Sequence, residues 1–251
     1  MPGSNCVIFV AGGKAKRSVK VYTNGHETKL PFEMPVQMQS KDLVKALHIP
    51  SDIAVDDFNH SAWMLCEPVP IAHYWSGELA PANRHAEARL LWSNSALHAR
   101  FVCPQDEPLI ISSAPQTDVK TLGLWDRDVC EIFIAPNPSD SNSYFEFEGA
   151  PTGEWVDVAI RKSAEGRETD FAFDSGMTTA AHVGNDQVQV SLRIPWSEMI
   201  PQPQLNERWR VNLFRCVGSD PNRGYVTWRP TYTPEPSFHS PEAFGWLLFS
   251  E

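Results

Sequence analysis

The chain has 251 residues, 42% of them hydrophobic and 21% charged, enough to bury a full core in one large domain or two small ones. Its formal net charge of -10, with no basic stripe interleaved with aromatics, excludes a protein that tracks nucleic-acid phosphates. No apolar run reaches the roughly 18 residues that a membrane-spanning helix needs.

The first fifty residues hold seven Lys/Arg and three acids, a net +4 against -14 for the remainder, so they read as an N-terminal extension (1–50) to a main domain (51–251). Residues 6–11 are apolar but short. Lys14, Lys16 and Arg17 follow them, the reverse of the order in a secretory signal peptide, so no leader is evident. Residues 18–23 alternate, Asn24-Gly25 is a hairpin turn signal, and 26–32 return. Residues 41–48 read as a short helix or a docking segment.

From about Ala54 the pattern is strand after strand. Residues 84–92 and 96–102 flank the turn Ser93-Asn94-Ser95 as a hairpin. Residues 129–135 form a short apolar strand, 144–148 alternate aromatic and acidic residues, and 155–160 follow the turn Pro151-Thr152-Gly153. Residues 188–194 alternate again, Pro195 opens an expected helical turn, and 209–217 and 244–249 complete the set. Without sustained helical periodicity or βαβ alternation, and with 21 prolines, the chain reads as an all-β antiparallel sandwich. Its five cysteines, Cys6, Cys66, Cys103, Cys130 and Cys216, form no CxxC pair, so they read as scattered reduced thiols.

Two segments a hundred residues apart carry a tryptophan beside polar groups at the edge of an expected strand. They are Leu124-Trp125-Asp126-Arg127-Asp128-Val129-Cys130-Glu131 and Trp228-Arg229-Pro230-Thr231, the latter running on to Phe238-His239-Ser240-Pro241. Two indoles brought together would form a slot for a flat, partly apolar ring, with carboxylates and guanidinium groups to bind hydroxyls. Each tryptophan reads equally well as a core or loop anchor.

The order of these features resembles the family 9 carbohydrate-binding modules and their DOMON-like relatives over roughly residues 50–251. Carrying the resemblance are Asp56-Asp57, Trp63, Ala88-Arg89-Leu90-Leu91-Trp92, Trp125 to Pro136, Tyr144-Phe145-Glu146-Phe147-Glu148, Ile194-Pro195-Trp196, Trp209 to Arg215 and the Trp228 to Phe249 tail. It implies an immunoglobulin-like antiparallel β-sandwich of jelly-roll type, a sugar or polysaccharide end bound between two tryptophans, an association with carbohydrate catabolism, and calcium as a structural ion. Members of the family are often secreted. By the same resemblance Trp125 and Trp228 match the stacking rings and Glu131 an acidic residue that accepts hydroxyls. Glu146 stands where the better-understood modules carry arginine.

The ligand-binding candidates are therefore Trp125, Trp228, Glu131, Arg229, His239 and Glu146. Alternation puts Glu146 and Glu148 on one strand face, read as solvated or as part of a site. Glu131, among apolar neighbours, needs a partner such as Arg215 or Arg210, and Asp126 and Asp128 offer hard oxygens for calcium. Other readings remain. One is a glycosidase using Glu131 and Glu146. Another is a haem domain with axial ligands from Met64 or Met177 and His182 or His239. In a third the sandwich is an interaction scaffold.

Overall fold

The computed structural model of the protein describes residues 42–251 and, as backbone strands, 19–23 and 26–30. The chain divides into two compact units, Met1–Gln39 and Ser40–Glu251. In the first, β1 (Val19–Thr23) pairs antiparallel with β2 (His26–Leu30), with Thr23 opposite His26. Cys6 lies outside the described residues.

The second unit is built almost wholly from strands. These are β3 (Leu43–His48), β4 (Val69–Ile71), β5 (His73–Tyr74), β6 (Ala86–Trp92), β7 (Ala96–Pro104), β8 (Val129–Ala135), β9 (Ser143–Gly149), β10 (Trp155–Ser163), β11 (Gly166–Asp170), β12 (Thr178–Val183), β13 (Gln187–Pro195), β14 (Arg208–Val217), β15 (Gly224–Thr227) and β16 (Gly245–Ser250). They pair in the order β11-β10-β9-β8-β14-β16-β3-β6-β7-β13-β12, with β15 against β14 and β5, and β4 against β6. This long sheet curls onto itself as a sandwich. Ile132, Phe147 and Leu213 from one half share a core with Leu90, Phe101 and Leu192 from the other. The halves meet closely at Gly149, where an added Cβ would lie 2.7 Å from Leu192 and 2.8 Å from Val190.

Three expectations are corrected. The sandwich is not wholly antiparallel, because β3 runs parallel to both β16 and β6. Residues 41–48 are accordingly neither helix nor docking arm: Val44 and Ala46 point into the core as an alternating strand should. The stretch after Pro195 is not helical but a bend closed by Ser197 N–H donating to the Ile200 carbonyl at 2.8 Å.

Strand β8 is buried along its whole length. Cys130, Ile132 and Ile134 face the inter-sheet core, while Val129, Phe133 and Ala135 belong to a second apolar layer on the outer face. That layer is closed by Leu124, Phe238 and Phe244, from the loops before β8 and after β15. The outer face of the sheet is thus roofed, which makes room for a cavity between strands and loops. Cys66, Cys103, Cys130 and Cys216 are free and buried.

Candidate functional site

Beneath that roof lies a cavity of about 310 Å³. One wall is Trp125, half-buried on the 3-10 turn Leu124–Asp126. Gly123 opens this turn at φ 79, a backbone region that favours glycine. The turn is pinned from below: the Arg223 guanidinium donates to the carbonyls of Trp125 (2.7 Å), Arg127 and Gly218, and Arg127 reaches Glu154 at 3.2 Å. Phe238 also lines the cavity, stacked on Phe214 with centroids 4.0 Å apart and planes inclined by 13°. Tyr225 and Phe171 add further aromatic lining.

The floor is acidic because of strand register. Glu131 on β8 sits opposite Glu148 on β9, and Glu146 lies opposite Phe133, one place along the same face. Alternation does put Glu146 and Glu148 on one face, but the roof covers it, so all three carboxyls are buried. Glu131 and Glu146 line the cavity, and Glu148 lies deeper. Burial pushes each carboxyl above the ordinary carboxylate range, and their mutual repulsion adds to this for Glu131 and Glu148.

Neither Arg215 nor Arg210 partners Glu131. Glu131 faces the same side as Phe214 and Cys216, so Arg215 points the other way, to the His85 and Pro104 carbonyls and Gln105. Arg210 bonds the Phe244 carbonyl. The contact to Glu131 comes from the Cys216 thiol, at 3.4 Å.

His239 closes one end. Its Nδ1 is 3.1 Å from the Tyr144 hydroxyl and its Nε2 is 3.9 Å from Glu146. That separation is within ion-pair range, yet burial first, and then Arg167 and Lys162, bring its pKa down to about 3. We take the imidazole as neutral at pH 7 and the contact as a weak dipolar one.

The structure therefore brings together Trp125, Glu131, Glu146 and His239. It places Trp228 and Arg229 elsewhere, in a depression of about 770 Å³ that shares no residue with the first. The Trp228 ring packs over Gly245, where any Cβ would collide with it. Arg229 is ion-paired with Asp42, and its backbone is held in both directions by the Asn212 side chain (3.1 and 2.9 Å). Trp125 and Trp228 therefore do not line one cavity; the aromatic side chains that line it with Trp125 are Phe133, Phe171, Tyr225 and Phe238. Phe238 stood beside His239 in the tail segment but was overshadowed by the larger indole. Tyr225 was missed because its strand is only four residues long.

Among the described residues, the group of three or more possible metal-ligating side chains is Glu131, Glu146 and Glu148, whose ligand oxygens lie within 4.8 Å of one another. Asp128 instead takes the Gly218 N–H at 2.8 Å, and Asp126 lines the cavity mouth. Among the described residues no haem-type His/Met pair is assembled at the cavity, since none of their methionines lines it: Met177 lies in the inter-sheet core and Met64 is exposed.

Residues 55–251 match the family model described as carbohydrate family 9 binding domain-like. A comparison with curated proteins gives no match. Among solved structures, a candidate carbohydrate-binding protein of Bacteroides uniformis superposes with a TM-score of 0.63 at 15% identity, covering 83% of this chain and 99% of that one. A family 9 carbohydrate-binding module from Caldicellulosiruptor kristjanssonii, in complex with glucose, gives 0.57 at 15% identity, covering 82% and 95%. The same module type in complex with cellotriose gives 0.56 at 16%, covering 83% and 93%. At these identities the likeness is one of fold.

Proposed function

The chain belongs to the carbohydrate family 9 binding domain-like family, and from that premise we propose that it binds a sugar or polysaccharide end in the cavity between Trp125 and Phe238. The observation that carries this is the cavity itself, lined by the aromatic rings of Trp125 and Phe238 together with the carboxyls of Glu131 and Glu146. Apolar ring faces of a sugar stack on the walls, and its hydroxyls meet the carboxyl oxygens and His239. Trp228 and Arg229 serve instead to seat the loop after β15. Family modules solved with glucose and with cellotriose support this choice of ligand class. Hydrolysis is the weaker reading. It needs two carboxyls flanking the scissile bond, whereas Glu131 and Glu146 project from one face of adjacent strands.

The test is titration calorimetry with glucose, cellotriose and a panel of other mono- and oligosaccharides. Each stacking wall contributes about 1 kcal/mol, so Trp125→Ala and Phe238→Ala each weaken binding by roughly fivefold or more. Trp228→Ala leaves affinity near that of the parent while lowering thermal stability. Affinity that collapses in Trp228→Ala but survives Trp125→Ala sinks this assignment of the site.

A further inference from the structure

We infer that the acidic floor of the cavity, Glu131, Glu146 and Glu148, is a divalent-cation site, of the hard, oxygen-preferring kind typified by calcium, and that the bound ion completes its coordination with hydroxyls of the sugar. The second clause rests on the function proposed above; the first does not.

Three carboxyls on adjacent strands offer oxygens within 4.8 Å of one another. Like charges placed directly opposite across a strand pair are destabilising, and Glu131 and Glu148 are so placed. Glu148 is fully buried, and no N–H, hydroxyl or thiol donor reaches either of its oxygens; its polar neighbour is the Glu146 carboxyl. A buried, unpartnered carboxylate costs several kcal/mol. The usual remedy, a basic side chain in direct contact, is not supplied: among the described residues no lysine or arginine is within ion-pair distance of the three, and Arg167, which lines the cavity, acts on Glu146 only from farther off. Arg223, the guanidinium held nearby, is spent on three backbone carbonyls. The neighbouring thiol, Cys216, is buried and donates to Glu131 at 3.4 Å.

An all-oxygen carboxylate set suits calcium, magnesium or manganese rather than zinc or copper. Calcium takes about six to eight oxygens, and three carboxylates give between three and six. Because Glu131 and Glu146 line the cavity, the unfilled positions open toward it, where water or two neighbouring sugar hydroxyls can enter. Glu148 then holds the ion from beneath without touching the ligand.

Two readouts test this on the full-length chain after dialysis against a chelator. Calcium chloride is titrated by calorimetry, with metal content checked by mass spectrometry, and terbium(III) luminescence sensitised through Trp125 reports occupancy of this cavity. Expected are one calcium per chain, terbium emission that calcium displaces, and calcium affinity weakened about tenfold or more in Glu148→Gln. Sugar affinity should fall about tenfold or more without calcium and recover when it is restored. Trp125→Ala, which weakens sugar binding, keeps its calcium. If Glu148→Gln does not fold, the stoichiometry and terbium displacement in the parent chain decide the first clause. Sugar binding equally well with and without calcium, by a protein that takes up none, overturns the inference and leaves the sugar-binding reading standing. Calcium uptake without binding of any sugar upholds the ion site and overturns that reading and the hydroxyl-bridging clause with it.

Discussion

Asp52 shows how one side chain can anchor several elements. Its carboxylate accepts hydrogen bonds from the Ser93 hydroxyl, from Ser95 Oγ at 2.6 Å and from Arg193 Nε at 3.0 Å, and it lies 3.5 Å from His98 Nε2. Burial alone would raise its pKa; the two hydroxyls and the Arg193 guanidinium outweigh that and hold it below the ordinary carboxylate range. A carboxyl lowered by folding stabilises the fold above its unfolded value of 3.8, and that contribution is lost as pH falls through the lower folded value. The side chain is 35% exposed, so Asp52→Asn is expected to cost about 1 kcal/mol at pH 7 after discounting for solvent. Urea melts at pH 7 and near pH 2 measure this; the gap to the parent should narrow at the acid end, and a constant gap would point to packing instead. The same scale shows where residue-level reading falls short. Glu131 was legible as a carboxylate in need of a partner. That its neighbours would be Glu148 and Cys216, and not Arg215, depended on which residues share its face across two strand pairs.

At the scale of elements, alternation is a dependable guide to which side chains share a face, but not to what covers that face. The run 144–148 reads correctly as a strand with Glu146 and Glu148 together. Their solvation was misjudged because the cover comes from residues 124 and 238, far away in the chain. The close approach of the sheets at β9 is another property of two elements jointly. Gly149→Ala would push a methyl against Leu192 and Val190, and overpacking of this kind costs about 1–3 kcal/mol. Thermal or chemical unfolding should register that loss, whereas Gly166→Ala, where an added Cβ meets nothing within 4 Å but φ is +139, loses stability only through backbone strain. Equal stability of Gly149→Ala and the parent would mean that the sheets separate easily there.

For the whole molecule, the decisive placement is that of β3 between β16 and β6. A chain beginning at Ser40 retains the full strand order and is expected to unfold with the same transition as residues 40–251 show in the complete protein. A chain beginning at Ser51, the limit that charge composition suggested, loses the central parallel strand. Two flanking strands then expose unpaired backbone groups, and the expected outcome is loss of cooperative folding or aggregation, read by circular dichroism and size-exclusion chromatography. Normal folding of the shorter chain would show that β3 is dispensable. Charge composition placed the boundary later because Lys41 and Lys45 continue the basic run, whereas Lys45 itself lies within β3 of the sheet.

What the sequence by itself determined was the all-β character, most of the long strands, the resemblance to family 9 modules, and four of the residues that converge on one cavity: Trp125, Glu131, Glu146 and His239. These are signals carried by periodicity, turn residues and ordered local motifs. Only the tertiary structure decided that Phe238 lines the cavity with Trp125 while Trp228 packs over Gly245, that Glu148 joins Glu131 in a buried acidic floor, and that β3 is parallel and central. Each depends on contacts between segments tens to about two hundred residues apart, and the register and cover that such contacts impose leave no local trace in the chain.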